Sequence, residues 1–212
     1  DFGASYLYAL HGNDKEHMKL WLEERLLYLD TLWDYDGSTT DYVSIRSSAD
    51  ANTIIYMDIE TFRTMYLKVR WRNDTTGASI QKLRVVKNGE PTRFSFECKT
   101  STDQEIRIYG GKYIKSLGDL TNLQPTTITL IQAPKVNSLI CHCEKLINTD
   151  VSKCVNLSRI DLSGCTNLGS GTASLTSLDV SGCTELKYLN IQNTTLQTVE
   201  LNPRGSNIKE VW

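Results

Sequence analysis

The chain's six cysteines and three histidines are its best candidates for metal or nucleophile chemistry. Cys141, His142 and Cys143 stand side by side, and Cys154, Cys165 and Cys183 follow. A zinc site needs about four converging ligands. On alternating extended backbone His142 falls on the opposite face from its two neighbours, so this trio predicts no zinc centre. A disulfide framework belongs to short secreted scaffolds, whereas 212 residues, 40% of them hydrophobic, can bury a core. Catalysis would need a nucleophile beside a base, a carboxylate pair, a phosphate loop or a metal cluster. His11 and His17 flank a helix start, His142 stands at the head of a repeat array, and no motif ties them to Ser, Cys or Asp. "GSGTAS", residues 169–174, is glycine-rich but lacks the lysine and the strand-to-helix setting of a phosphate loop. The expectation is a non-enzymatic chain with no catalytic, metal or cofactor-binding residues.

The later cysteines have a rhythm of their own. "DLSGCTNL" from Asp161 and "DVSGCTEL" from Asp179 are near copies. Aligned on leucines, the last third reads Leu146-x-x-Thr149-x-Val151, Leu157-x-x-Ile160-x-Leu162, Leu175-x-x-Leu178-x-Val180, Leu186-x-x-Leu189-x-Ile191 and Leu196-x-x-Val199-x-Leu201, with Ile208-x-x-Val211 opening one more. Two such units span about 21 residues, within the leucine-rich-repeat range. One short strand with its returning loop cannot bury its own apolar side, but stacked copies can, so the pattern predicts a solenoid. Cys154, Cys165 and Cys183 each lie three residues after an inward Val or Leu, a crowded turn that suits a small, weakly polar side chain. Asn193 falls close to the same slot in the next unit. The cysteines read as structural thiols, and "GSGTAS" as a bulge between coils.

Two further elements precede the repeats. Asn13 and Glu16 form a capping box, and "DYDG" supplies a stop, so a helix is predicted between them. Met18, Trp21, Leu22, Arg25, Tyr28, Leu29 and Leu32 follow helical spacing, and Leu20, Leu26, Leu27 and Trp33 widen the stripe beyond what one sheet face covers. Trp21 and Trp33 are therefore candidate interface residues. From Thr53 to Tyr113 the period changes to two, in five or so segments separated by turn residues. In "MYLKVRWR" the residues Lys68, Arg70 and Arg72 share one face, and no aromatic is interleaved among those three for base stacking. The expected fold is mainly β with one long helix: a helical segment at 1–40, a small all-β, sandwich-like domain at 41–116, and a leucine-rich-repeat β-solenoid at 117–212, truncated at its C-terminal end.

Twenty-three basic and 25 acidic residues leave a formal charge of −2, so no global field steers the chain toward nucleic acid or anionic lipid, and no specific nucleic-acid site is expected. No apolar run reaches the length of a membrane span. "DFGASYLYAL" resembles no leader, and "NIKEVW" stops partway through a repeat, so the chain reads as part of a longer protein. Binding is the favoured class. The x positions of the repeats predict an outward row of Arg159, Asp161, Ser177, Asp179, Tyr188, Asn190, Thr198 and Glu200.

Three stretches, "YLYALHGNDKEHMKLWLEERLLYLDTLWDY", "IRIYGGKYIKSLGDLTNL" and "VNLSRIDLSGCTNL", occur in that order. Together they resemble the tail-tip or "muzzle" proteins of crAss-like and related short-tailed phages of gut Bacteroidetes. The resemblance implies a helix, a small β domain, a transition segment and leucine-rich repeats. It also implies a virion structural role at the distal tail, in assembly, channel closure or host contact, after assembly in the host cytoplasm. The implied partners are other copies or regions of the same virion protein, neighbouring tail proteins and a host surface receptor. The rival expectation is a leucine-rich-repeat adhesin at the Bacteroidetes cell surface, and a third is an accessory domain of an enzyme.

Overall fold

The computed structural model describes residues 41–73, 77–86, 89–98, 104–170, 176–203 and 207–212, together with Leu22 and Arg25, which have helical backbone. The rest of the expected N-terminal helix, Trp21 and Trp33 included, lies outside the described residues. What is described is mainly β. Strands β1 (Tyr42–Ser47), β2 (Ile54–Thr61), β3 (Met65–Asn73), β4 (Gly77–Val85), β5 (Thr92–Glu97), β6 (Gln104–Tyr109) and β7 (Ile114–Ser116) come first. In β1, β2, β3, β5 and β6 a period-two pattern buries one face, as with Val43, Ile45 and Ser47 of β1, Ile55, Met57, Ile59 and Thr61 of β2, and Met65, Leu67 and Val69 of β3. The five segments expected between Thr53 and Tyr113 are β2 to β6. Strands β1 and β7 were not legible as strands.

Two sheets share this core. One has the order β5–β2–β7; the other contains β1, β6, β3 and β4 in that order. Trp71 joins them: its ring stacks on Phe96 at 5.5 Å and meets Phe94 edge-on at 5.9 Å. Beyond β1 the second sheet continues through β8 (Pro125–Thr129), antiparallel to β1, to β10 (Asn148–Asp150), parallel to β8. The sheet therefore runs across residue 116 without a break, and β8 is both the last antiparallel strand and the first strand of the solenoid.

The solenoid makes about four turns. Its remaining strands are β9 (Ser138–Ile140), β11 (Arg159–Asp161), β12 (Ser177–Asp179), β13 (Tyr188–Asn190), β14 (Thr198–Glu200) and β15 (Glu210–Val211). Successive ten- or eleven-residue units alternate between two parallel stacks. β9, β11, β13 and β15 form one ladder, while β8–β10 and β12–β14 form the other side. One turn is therefore two units, with Ile160 and Leu189 buried from one stack and Ile128 and Leu178 from the other. Two units were missed in the leucine alignment. Ile128 and Leu130 make the first, and Leu139 and Cys141 the second, with cysteine in an aliphatic slot.

The corners explain the repeated letters. At the strand ends Asp150, Asp161, Asp179 and Asn190 use Oδ1 to accept from the backbone N–H two residues on, at 2.9 to 3.5 Å. Ser152 and Ser163 add their hydroxyls to the same oxygens. The cysteines then bind coil to coil. The thiols of Cys154, Cys165 and Cys183 donate to the carbonyls of Leu130, Cys141 and Val151 at 3.2 to 3.3 Å, each acceptor one turn earlier. All six cysteines are free and buried. The residue third after Ile191 is Thr194, not Asn193, and its hydroxyl donates to the Ile191 carbonyl at 2.9 Å. Asn193 occupies instead the Gly164 position, with φ 57° against 78°.

The "SG" glycines serve two different purposes. Gly164 has room for a Cβ but a left-handed φ, whereas at Gly182 a Cβ would overlap the Ser152 carbonyl oxygen of the preceding turn. Gly164→Ala should cost about 1–2 kcal/mol and Gly164→Asn less, because Asn tolerates that φ. Gly182→Ala should cost more than either, and urea unfolding of the three variants checks the order. The cysteines predict an alkaline limit. Burial pushes Cys154 and Cys183 up to about 12. An unfolded thiol ionises near about 8.5, so above that pH the unfolded chain releases protons that the folded chain keeps. Their contribution is intact at neutral pH and is lost as pH rises toward about 12. Urea midpoints followed through this range should fall, with a shallower slope after Cys154→Ala and Cys183→Ala.

Candidate binding face of the solenoid

The expected outward row is divided by the alternation of units. Arg159, Asp161, Tyr188 and Asn190 stand on β11 and β13, while Ser177, Asp179, Thr198 and Glu200 stand on β12 and β14, on the other side of the shared core. The second group is a sparse surface. Ser177 donates to Glu200 at 3.2 Å, and Asp179 lies directly opposite Glu200.

The first group is a network. Register sets Arg159 opposite Tyr188 and Asp161 opposite Asn190. The Arg159 guanidinium lies 3.8 Å from the Tyr188 ring centroid, and its Nη2 donates to Asp161 Oδ2 at 2.8 Å. The Tyr188 hydroxyl reaches the same oxygen at 3.5 Å, and Asn190 Nδ2 donates to that hydroxyl at 3.4 Å. Asp161 was expected to face solvent, yet it is only 7% exposed, because its neighbours close over it. A charge-assisted bond beneath a stacked guanidinium fixes three side chains in one geometry.

Sequence reading missed three members of this cluster, Thr121, His142 and Ser163. His142 Nδ1 lies 3.0 Å from the Ser163 carbonyl oxygen, 3.1 Å from its hydroxyl and 3.9 Å from Asp161 Oδ1. The backbone N–H of His142 donates to Thr121 Oγ1 at 2.8 Å. Thr121, His142 and Ser163 are spaced by one turn of 21 residues, the only signal in the sequence that could have joined them. Serine, histidine and aspartate together invite comparison with a nucleophilic triad. A triad needs serine on one ring nitrogen and carboxylate on the other. Here both lie at Nδ1, and the Ser163 hydroxyl donates to Asp161 at 2.9 Å. The arrangement orients a corner and does not activate a nucleophile.

Cys141 and Cys143 are buried, while the His142 side chain is 41% exposed. Cys141 lies against Cys165, and the thiol hydrogen bond between them, with burial, pushes Cys141 up. Among the described residues no group of three or more His, Cys, Asp or Glu is placed to hold a metal ion. No helix among them is long and apolar enough to cross a membrane. His11, His17 and residues 171–174 of "GSGTAS" lie outside the described residues.

No protein-family model, curated protein or solved structure matches the chain.

The coupling between Arg159 and Asp161 is measurable. Arg159→Ala and Asp161→Asn in a double-mutant cycle should give an interaction of about 1 kcal/mol, since one partner is buried and the other half exposed. Asp161→Asn alone should cost more than Arg159→Ala, because it also weakens the corner.

Proposed function

We propose that the chain is a non-enzymatic structural and interaction domain of a phage tail-tip protein, located in the virion tail. It works through protein–protein contacts in tail assembly, channel closure or host contact. In this reading an N-terminal helix and a small sandwich-like domain carry a leucine-rich-repeat solenoid whose outer surfaces meet other copies of the protein, neighbouring tail proteins or a host receptor. The observation that supports it most is the preorganised Arg159–Asp161–Tyr188 cluster. An aromatic and an arginine held rigid on a strand face are the side chains that anchor protein interfaces, and their ordering cost is met before a partner arrives. The order of the three sequence stretches supplies the virion setting.

Peptide mass spectrometry on purified particles of a matching gut phage tests this. Peptides of this chain at a low, fixed ratio to the major capsid protein are the expected result. Their absence from clean particles would overturn the virion reading and favour the cell-surface adhesin.

A further inference from the structure

The outward face of the β9, β11, β13 and β15 ladder extends past the Arg159 cluster. Alternation and register set Arg159, Tyr188 and Glu210 in one row across the strands and Asp161, Asn190 and Trp212 in the next. The backbone of Trp212 holds it in that row, donating to the Leu189 carbonyl and accepting from the Ile191 N–H, both at 3.0 Å. Trp212 is 59% exposed. Beside it the Asn190 amide is fixed, Nδ2 donating to the Tyr188 hydroxyl and Oδ1 accepting from the Gln192 N–H. Polar groups remain for a ligand. Arg159 engages Asp161 through Nη2, which leaves other guanidinium N–H groups on a side chain 44% exposed, and Glu210 and Gln192 are exposed as well.

What this face recognises follows partly from what it lacks. Among the described residues of the ladder Ile140 is the one outward aliphatic side chain, and it stands on β9, so the outward side at Trp212 offers a protein partner no aliphatic centre to pack on. The two rows hold one cation and two carboxylates, and Lys187 and Lys209 precede their strands, so no cationic row crosses the face to hold a phosphate backbone. What remains is a flat, open indole beside a fixed array of donors and acceptors. Its complement is a ring with an apolar C–H face and a rim of hydroxyl groups. Neighbouring strands lie about 4.8 Å apart, close to the length of one sugar unit, so a polymer laid across the ladder meets β11, β13 and β15 with successive units. We infer that the face binds an extended neutral polysaccharide, one ring stacked on Trp212 and adjoining hydroxyls on Asn190, Glu210 and Arg159. This adds a ligand beside the Arg159 anchor and does not rest on the tail-tip reading.

Affinity electrophoresis of the full chain in native gels tests this, with dextran, mannan, xyloglucan and galactan as neutral probes and polygalacturonate as the anionic one. Retardation by at least one neutral polymer is expected, and oligosaccharides of that polymer should compete better as they lengthen from the disaccharide to the tetrasaccharide. Trp212→Ala should weaken binding about tenfold, and Trp212→Phe less. Glu210→Ala should also weaken it. Both side chains are exposed, so these variants should keep the Tm of the unmodified chain, which separates lost binding from lost folding. Ser177→Ala, on the other stack, should bind as the unmodified chain does. No retardation by any of the neutral polymers would overturn the inference, as would retardation that Trp212→Ala leaves intact. Retardation by polygalacturonate alone, abolished by high salt, would overturn it too and assign the effect to the lysines that precede the strands.

Discussion

Every coil of this solenoid must hand its corner groups to the coil before it. A strand of three residues satisfies few of its own backbone donors and acceptors, and the turns that follow would leave carbonyls buried without partners. The Asp-x-Ser-Gly-Cys corner answers both needs. Aspartate closes the turn locally, glycine permits either its dihedral or its close approach, and the thiol reaches the carbonyl one turn back. A buried thiol is a weak donor on a small apolar body, so it can fill a corner and still satisfy the carbonyl. The repetition in the sequence is the repetition of that solution.

Coil-to-coil dependence shows at the first and the last of the described turns. At the first turn, β8 pairs with β1, so the antiparallel sheet acts as the template on which parallel stacking begins. At the last, Leu201, Val211 and Trp212 are about half exposed or more, although the equivalent positions one turn earlier are buried or half-buried. An inward residue becomes inward only when a neighbour covers it. The Arg159 cluster balances its charge within itself, the guanidinium pairing with the buried Asp161 carboxylate.

Much of the architecture was legible from the chain alone. The mainly β character, the solenoid, the strands between Thr53 and Tyr113 and the burial of the cysteines all follow from local periodicity, and periodicity survives whatever the strand pairs with. Thr149 shows how firmly the pattern rules. It sits in an aliphatic slot and is buried with no hydrogen-bond partner for its hydroxyl, a departure the stack tolerates.

Only the tertiary structure decided which repeats are neighbours. Units ten or eleven residues apart look adjacent in the sequence, yet they fall on opposite sides of the core, and the segment after Leu168 lengthens one turn from 21 to 29 residues. That alternation divided the row of eight polar residues, buried Asp161 beneath Arg159 and Tyr188, and brought His142 to Ser163. In the antiparallel sheet, pairing of β6 with β1 and β3 likewise set Arg107 over the Tyr42 ring and Lys68 over the Tyr109 ring. The sequence by itself determined which side chains point inward, because that depends on a residue's immediate neighbours in the chain. Which outward side chains meet was set by inter-strand register, a sum over loop lengths and pairings that no local pattern encodes.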